Sequence, residues 1–114
     1  MAWEVLLHPL FAQELLAFPV EARREVAAHI PLLMQAGPQL GRPHADTLKG
    51  SKHANMKELR FYAADGVWRI AVAFDPDRRA VLLVGGDKPN ASEKKFYKAL
   101  IRVADARFSD WPGD

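Results

Sequence analysis

MKELRFYAADGVWRIAVAFDPDRRAVLLV, residues 56–84, is the stretch on which the fold turns. Met56 to Tyr62 and Val67 to Phe74 are rich in strand-forming side chains and flank Ala63-Ala64-Asp65-Gly66. Asp-Gly is a hairpin signal there, because glycine takes positive φ without steric cost. Two antiparallel strands are expected. A polar turn, Asp75-Pro76-Asp77-Arg78, leads into Ala80-Val81-Leu82-Leu83-Val84, an unbroken apolar run that marks a strand buried on both faces at or near the sheet centre.

Before this hairpin, Trp3 to Leu7 reads as an opening strand stopped by His8-Pro9, since proline cannot donate to a sheet ladder. Phe11, Leu15 and Phe18 recur at helical spacing over Pro9 to Phe18. After Pro19, Val26, Ile30, Leu33 and Met34 form a second helical stripe, bent or bounded at Pro31 and ended by Gly37-Pro38. Residues 37–55 hold three glycines and two prolines with little periodicity and read as a surface loop. After the hairpin, Asn90-Ala91-Ser92-Glu93 has capping-box spacing, with Asn90 as the accepting cap. Phe96, Leu100, Val103, Ala104, Phe108 and Trp111 then lie along one face of a last helix. The expected order is β-α-α-β-β-β-α: an α+β domain over residues 1–114, with a twisted, largely antiparallel sheet packed against helices.

The 114 residues contain no cysteine, which removes disulfides, thiolate metal sites and cysteine nucleophiles together. No run approaches the roughly 18 apolar residues of a membrane span. An acid at Glu4 stands where a secretion signal carries basic residues, so a cytoplasmic location is expected. The formal charge of +2 is unevenly spread. Residues 1–48 carry 3 basic and 5 acidic side chains, whereas residues 49–114 carry 13 and 9. Lys49, Lys52, Lys57 and Arg60 oppose only Glu58 and form the densest cationic stretch, a target for a polyanion.

No phosphate-binding glycine loop, no His-Glu-x-x-His and no nuclease-like carboxylate cluster is present, so neither a metal nor a cofactor is expected. The four histidines are spread over unrelated elements. His53 stands out only because it adjoins Lys52 in the basic loop. The stronger constellation is cationic: Lys57 and Arg60 on one strand, Arg69 on the next and Lys88 beyond the third. Strand alternation does not require Lys57 and Arg60 to share a face. Arg69 interrupts an apolar run, either as a solvent-facing charge or as a guanidinium able to hold a phosphate and the added charge of a pentacoordinate transition state. Tyr97 falls at the edge of the last helix's apolar face, either as a half-buried structural residue or with its hydroxyl free to point outward. A base role for it would need Lys88, Lys94 or Lys95 to favour the anion.

Leu48-Lys49-Gly50-Ser51, Met56-Lys57-Glu58-Leu59-Arg60, Trp68-Arg69-Ile70 and Leu82-Leu83-Val84-Gly85-Gly86-Asp87-Lys88, in this order, resemble toxins of the RelE/ParE superfamily, in particular its HigB-like, phage Gp49-like branch. The resemblance spans almost the whole chain and implies a RelE-like fold. It also implies a metal-independent endoribonuclease that cleaves mRNA on the ribosome, with the 2′-hydroxyl attacking the adjacent phosphate to leave a 2′,3′-cyclic phosphate. The implied partners are a cognate antitoxin, the ribosome with its mRNA and, through the antitoxin complex, operator DNA. On this resemblance Arg69 matches the phosphate-stabilising arginine, Lys88 a second basic position and Tyr97 an aromatic residue beside the substrate. Lys57 and Arg60 match the basic strand less strictly, and Lys49, Lys52, His53, Lys94 and Lys95 are candidate RNA contacts. Met56 and Glu58 stand where some members carry paired lysines, which leaves the general base open among Lys52, His53 and Lys57. The alternatives are a ParE-like gyrase inhibitor and a degenerate toxin that only binds its antitoxin or operator DNA.

Overall fold

The computed structural model describes residues 2–87 and 92–112. Strand β1 (Glu4–Leu7) is followed by helices α1 (Pro9–Leu15) and α2 (Val20–Ala36) and a short 3-10 turn at Gly37–Gln39. Strands β2 (Ala45–Thr47), β3 (Lys57–Ala63), β4 (Gly66–Phe74) and β5 (Arg79–Asp87) come next, and helix α3 (Glu93–Ser109) closes the order. The sheet runs β1-β5-β4-β3-β2; β1 is parallel to β5 and the remaining pairs are antiparallel.

Helices cover both faces of this sheet. Phe11, Val26 and Leu33 from α1 and α2 pack with Leu59, Phe61, Trp68, Ile70 and Leu82 on one face. On the other, Leu100 and Ala104 of α3 pack with Ala71, Ala73, Val81 and Leu83. Ala80 and Leu82 of β5 therefore meet one helical layer and Val81, Leu83 and Val84 the other, which is why Ala80–Val84 reads as continuous apolar sequence instead of alternating. A Cβ at Gly85 would run into the Ile70 side chain and stand 3.0 Å from the Arg69 carbonyl, so this position of β5 admits no side chain.

Several local expectations are corrected. The basic loop is not structureless: it contributes β2, which pairs through Asp46 with Glu58. The β3–β4 hairpin turns on Ala64 (φ 49°) and Asp65 (φ 60°), while Gly66 already pairs with Ala63. Positive φ at both central residues is what a two-residue type I′ loop demands, and here non-glycine residues supply it. Helix α1 ends at Leu15, three residues before Phe18. Helix α2 runs uninterrupted through Pro31 to Ala36, and its buried stripe is Ala22, Val26, His29 and Leu33, while Met34 is 42% exposed. Ser92 caps α3, its hydroxyl accepting from the Lys95 N–H at 3.1 Å; the expected cap, Asn90, lies outside the described residues.

Candidate active site

The register of β3 and β4 sets Arg60 opposite Arg69 and Glu58 opposite Ala71, so Glu58, Arg60 and Arg69 rise from the face that α3 covers. Gly86 of β5 is the other neighbour of Arg69. A Cβ there would stand 4.0 Å from Phe96, an ordinary packing distance, so α3 lies directly over this part of β5. Phe96 and Tyr97 then close over Arg69, with their ring centroids 5.6 and 5.4 Å from its guanidinium carbon. The residue is only 2% exposed, so the solvent-facing reading is overturned.

A charge this deep needs partners. Arg69 Nε donates to the Tyr97 hydroxyl at 2.7 Å, and that hydroxyl donates to Glu58 Oε1, also at 2.7 Å. Glu58 Oε1 lies 3.8 Å from Arg69 Nε, and Glu93 Oε2 of α3 is 3.9 Å from Nη2. Nη1 is buried and has no hydrogen-bond partner among the described residues. Arg69 also forms part of the wall of an open cleft of about 600 Å³, together with Tyr62, Val67 and Asp87.

This arrangement changes the chemistry expected of Tyr97. Its hydroxyl points inward, and burial, followed by the adjacent Glu58 carboxylate, pushes the phenol up to about 12 despite the opposing charge of Arg69. It therefore keeps its proton at neutral pH and is suited to donate a proton more than to accept one. Glu58 is raised above the usual carboxylate value mainly by burial, with the Tyr97 hydrogen bond and the Arg69 charge pulling the other way. A desolvated carboxylate, a proton-holding phenol and a guanidinium with one nitrogen unpaired among the described residues thus stand in series, with the parts needed to accept a proton, donate one and neutralise developing negative charge.

Glu58 was not among the sequence candidates. A single acid inside a basic stretch looks like a solvated strand residue, and its burial depends on Tyr97, 39 positions away. The remaining candidates do not converge. Lys57 alternates to the opposite face, where Nζ donates to the Leu40 carbonyl at 2.9 Å. Arg60 is exposed on the same face as Arg69. Lys94 and Lys95 are exposed in the first turn of α3, beside the cluster. The 49–53 loop is held at the other end of that helix: Ser51 and the Lys52 N–H bond to Asp105, and His53 Nε2 pairs with Ser109 Oγ at 3.1 Å. His53 is also packed edge-on against Phe108. Lys49 is exposed in the same loop. Lys52 and His53 are thus too far away to act on a phosphate at Arg69. Lys88 lies outside the described residues. Among those described, no three His, Cys, Asp or Glu side chains come together as a metal site would need, and no helix is long and apolar enough to cross a membrane.

Comparison with known proteins gives concordant results. The family model for phage-derived Gp49-like proteins (DUF891) matches residues 13–109, a span that includes Glu58, Arg69 and Tyr97. The chain is 42% identical over 107 residues to HigB3 of Mycobacterium tuberculosis, a protein named as a candidate toxin; the match covers 94% of this chain and 91% of that relative. It is also 42% identical over 86 residues to HigB2 of the same organism, likewise named as a candidate toxin, covering 75% of this chain and 42% of the longer relative.

Proposed function

Because this chain belongs to the Gp49-like family and is a HigB-like member of it, we propose that it is the toxin of a toxin–antitoxin pair and cleaves messenger RNA on the ribosome. The observation that carries the catalytic part is Arg69: a guanidinium almost wholly buried, with Nη1 unpaired among the described residues, at the wall of an open cleft. A phosphate oxygen is the acceptor to which such a donor binds best.

In this reading the substrate phosphate meets Arg69 and displaces Tyr97 from Glu58. The Glu58 carboxylate takes the proton of the 2′-hydroxyl as its oxygen bonds to phosphorus. Arg69 balances the extra charge of the pentacoordinate state, and the Tyr97 phenol passes its proton to the departing 5′-oxygen. The O2′–P bond forms, the P–O5′ bond breaks, and the products are a 2′,3′-cyclic phosphate and a 5′-hydroxyl. Lys94 and Lys95 hold flanking phosphates at the mouth of the site, and Arg60 adds positive potential from the neighbouring strand. Lys88, next after β5, is the remaining basic candidate. The antitoxin neutralises the protein when bound, and operator DNA is met only through that complex.

The test is cleavage of a translated mRNA by purified protein and ribosomes, read by primer extension. Wild type is expected to cut. Arg69→Ala and Glu58→Gln should each lower the rate by about 10²- to 10³-fold, and Tyr97→Phe by about 10²-fold. Intact mRNA with wild type, or equal cutting by all three variants, would remove the catalytic assignment. The closure of the cluster around Arg69 favours one further reading, in which Glu58, Tyr97 and Arg69 form a structural charge network in a toxin that acts by binding alone. Growth arrest on expression without any mRNA cleavage distinguishes that case, and accumulation of gyrase–DNA cleavage complexes would identify a gyrase poison.

A further inference from the structure

Residues that stand opposite each other across a sheet share a face, as does every second residue along a strand. The pairs Arg60 with Arg69 and Tyr62 with Val67 therefore set Tyr62 and Val67 on the face of Arg69, one step nearer the hairpin turn. Helix α3 covers that face over Ala71 and Ala73 and reaches Arg69 through Phe96 and Tyr97. Tyr62 lies beyond this cover: it is 79% exposed, the most of any large hydrophobic side chain among the described residues, and Val67 beside it is half-buried.

Tyr62 and Val67 belong to the wall of the same cleft of about 600 Å³ that Arg69 lines, a size typical of small-molecule sites. Its charges are uneven. Among the described residues of the wall Arg69 is the only cation, and Asp65 and Asp87 are acids. One phosphate fits at Arg69, whereas a second one further along the cleft would meet carboxylates. The rest of the cleft suits an uncharged flat group with N–H donors on its edge, and a nucleobase is such a group. Tyr62 is the diagonal neighbour of Arg69 across the β3–β4 pair. Such neighbours stand about 7–8 Å apart, a span that the sugar of one nucleotide bridges.

We infer that Tyr62 stacks on the base adjoining the phosphate held at Arg69 and makes the site favour purines, whose two fused rings cover more of the phenol than the single ring of a pyrimidine. The inference rests on the RNA-cleaving reading for its substrate, but it assigns a side chain outside the Glu58, Tyr97 and Arg69 series. It gives the most exposed aromatic ring of the sheet a ligand, and it gives the cleft a means of choosing where the message is cut. Loss of an aromatic ring from beneath a base weakens binding about 5- to 150-fold.

Two measurements test this. In the ribosome assay, messages that differ only in the bases flanking the scissile bond are cut by wild type, Tyr62→Ala and Tyr62→Phe. Wild type should favour a purine on one side of the bond. Tyr62→Ala should lower kcat/KM on that message about tenfold and on its pyrimidine counterpart less than about threefold, and Tyr62→Phe should restore the preference, because the ring stacks and the hydroxyl does not. In the second measurement, 2′-deoxy dinucleotides of adenine and of cytosine, which lack the attacking hydroxyl, are titrated into the free chain with its tyrosine rings isotopically labelled. The chain has two tyrosines, so the Tyr62→Ala spectrum assigns both. The adenine dinucleotide should shift the Tyr62 ring signals upfield at several-fold lower concentration than the cytosine one, and an uncharged methylphosphonate linkage should weaken it about tenfold. No upfield shift with either dinucleotide, or equal loss of cutting on purine and pyrimidine messages, overturns the inference. So does a Tyr62→Ala chain that cuts like wild type but no longer co-purifies with its antitoxin, which would give this surface to a protein partner. If wild type cuts no message, the cleavage reading falls and the titration alone decides: a shift that needs both purine and phosphate upholds the stacking role, and its absence ends it.

Discussion

At the scale of single residues, the molecule contains a buried charge, Arg69, that is not fully paired among the described residues. Arg69 breaks the apolar run of β4 and is visible in the sequence for that reason, but nothing local shows that it is sealed under Phe96 and Tyr97. Removing one member of such a pair leaves the other charge stranded, so Arg69→Met alone should destabilise the fold by about 3–5 kcal/mol. The double variant Glu58→Gln/Arg69→Met should lose less than the sum of the two single changes, a coupling that denaturant melts of the four proteins measure. Tyr97 offers an independent check. Its phenol is raised from 10.0 to about 12, so the stability that the neutral form contributes is intact below pH 10 and is lost as pH rises through about 12. An ultraviolet titration should show a phenolate step near 12 that Tyr97→Phe removes. A lost step near 10 instead would mean that the hydroxyl is not held against Glu58.

Among the elements, α3 is the one that makes the site, and it is fastened at both ends. Ser92 caps its start. Near its other end Arg107 donates to Glu14 of α1 through both terminal nitrogens, at 2.8 and 2.5 Å, and to the Leu83 carbonyl of β5 at 2.7 Å. One side chain thus joins helices on opposite faces of the sheet through a strand between them. Arg107→Ala should cost about 1–2 kcal/mol, discounted because Glu14 is partly exposed. The Arg107 hydrogen bond lowers the Glu14 carboxyl from its ordinary 4.5. A depressed acid stabilises above its unfolded value and loses that contribution as pH falls through the folded one, so the penalty of Arg107→Ala should shrink in acid. Chemical denaturation at neutral and acid pH tests this, and only the bond to Leu83 should persist at the lower pH. The same helix departs from the expected stripe at one position: Ile101 joins the cluster under α3, and Val103 lines a groove beside α1.

For the molecule as a whole, the excess positive charge of the second half does not become one continuous field. Lys95 stands in the first turn of α3 and Lys52 is tied through its N–H to Asp105, ten residues further on, which at 1.5 Å per residue separates them by about 15 Å along the axis. That exceeds the screening length of roughly 8 Å at physiological salt. Lys94→Ala/Lys95→Ala should therefore slow mRNA cleavage several-fold more than Lys49→Ala/Lys52→Ala in the ribosome assay; the reverse order would place the RNA over the wrong end of α3. The sequence by itself determined the hairpin, the apolar β5, the helical pair before the sheet and the helix after it, because strand alternation, helical spacing and turn residues are local signals that survive in any context. It also singled out Arg69, since a charge within an apolar run is a local anomaly. It took the packed fold to show that Glu58 is buried, that Tyr97 points inward, that Lys57 faces away, and that His29 is a core residue. Each of these depends on which surface a distant segment covers. Burial sets both the protonation of an acid or phenol and the need of a polar atom for a partner, and burial is a property of the packed sheet and helices, not of any one stretch of chain.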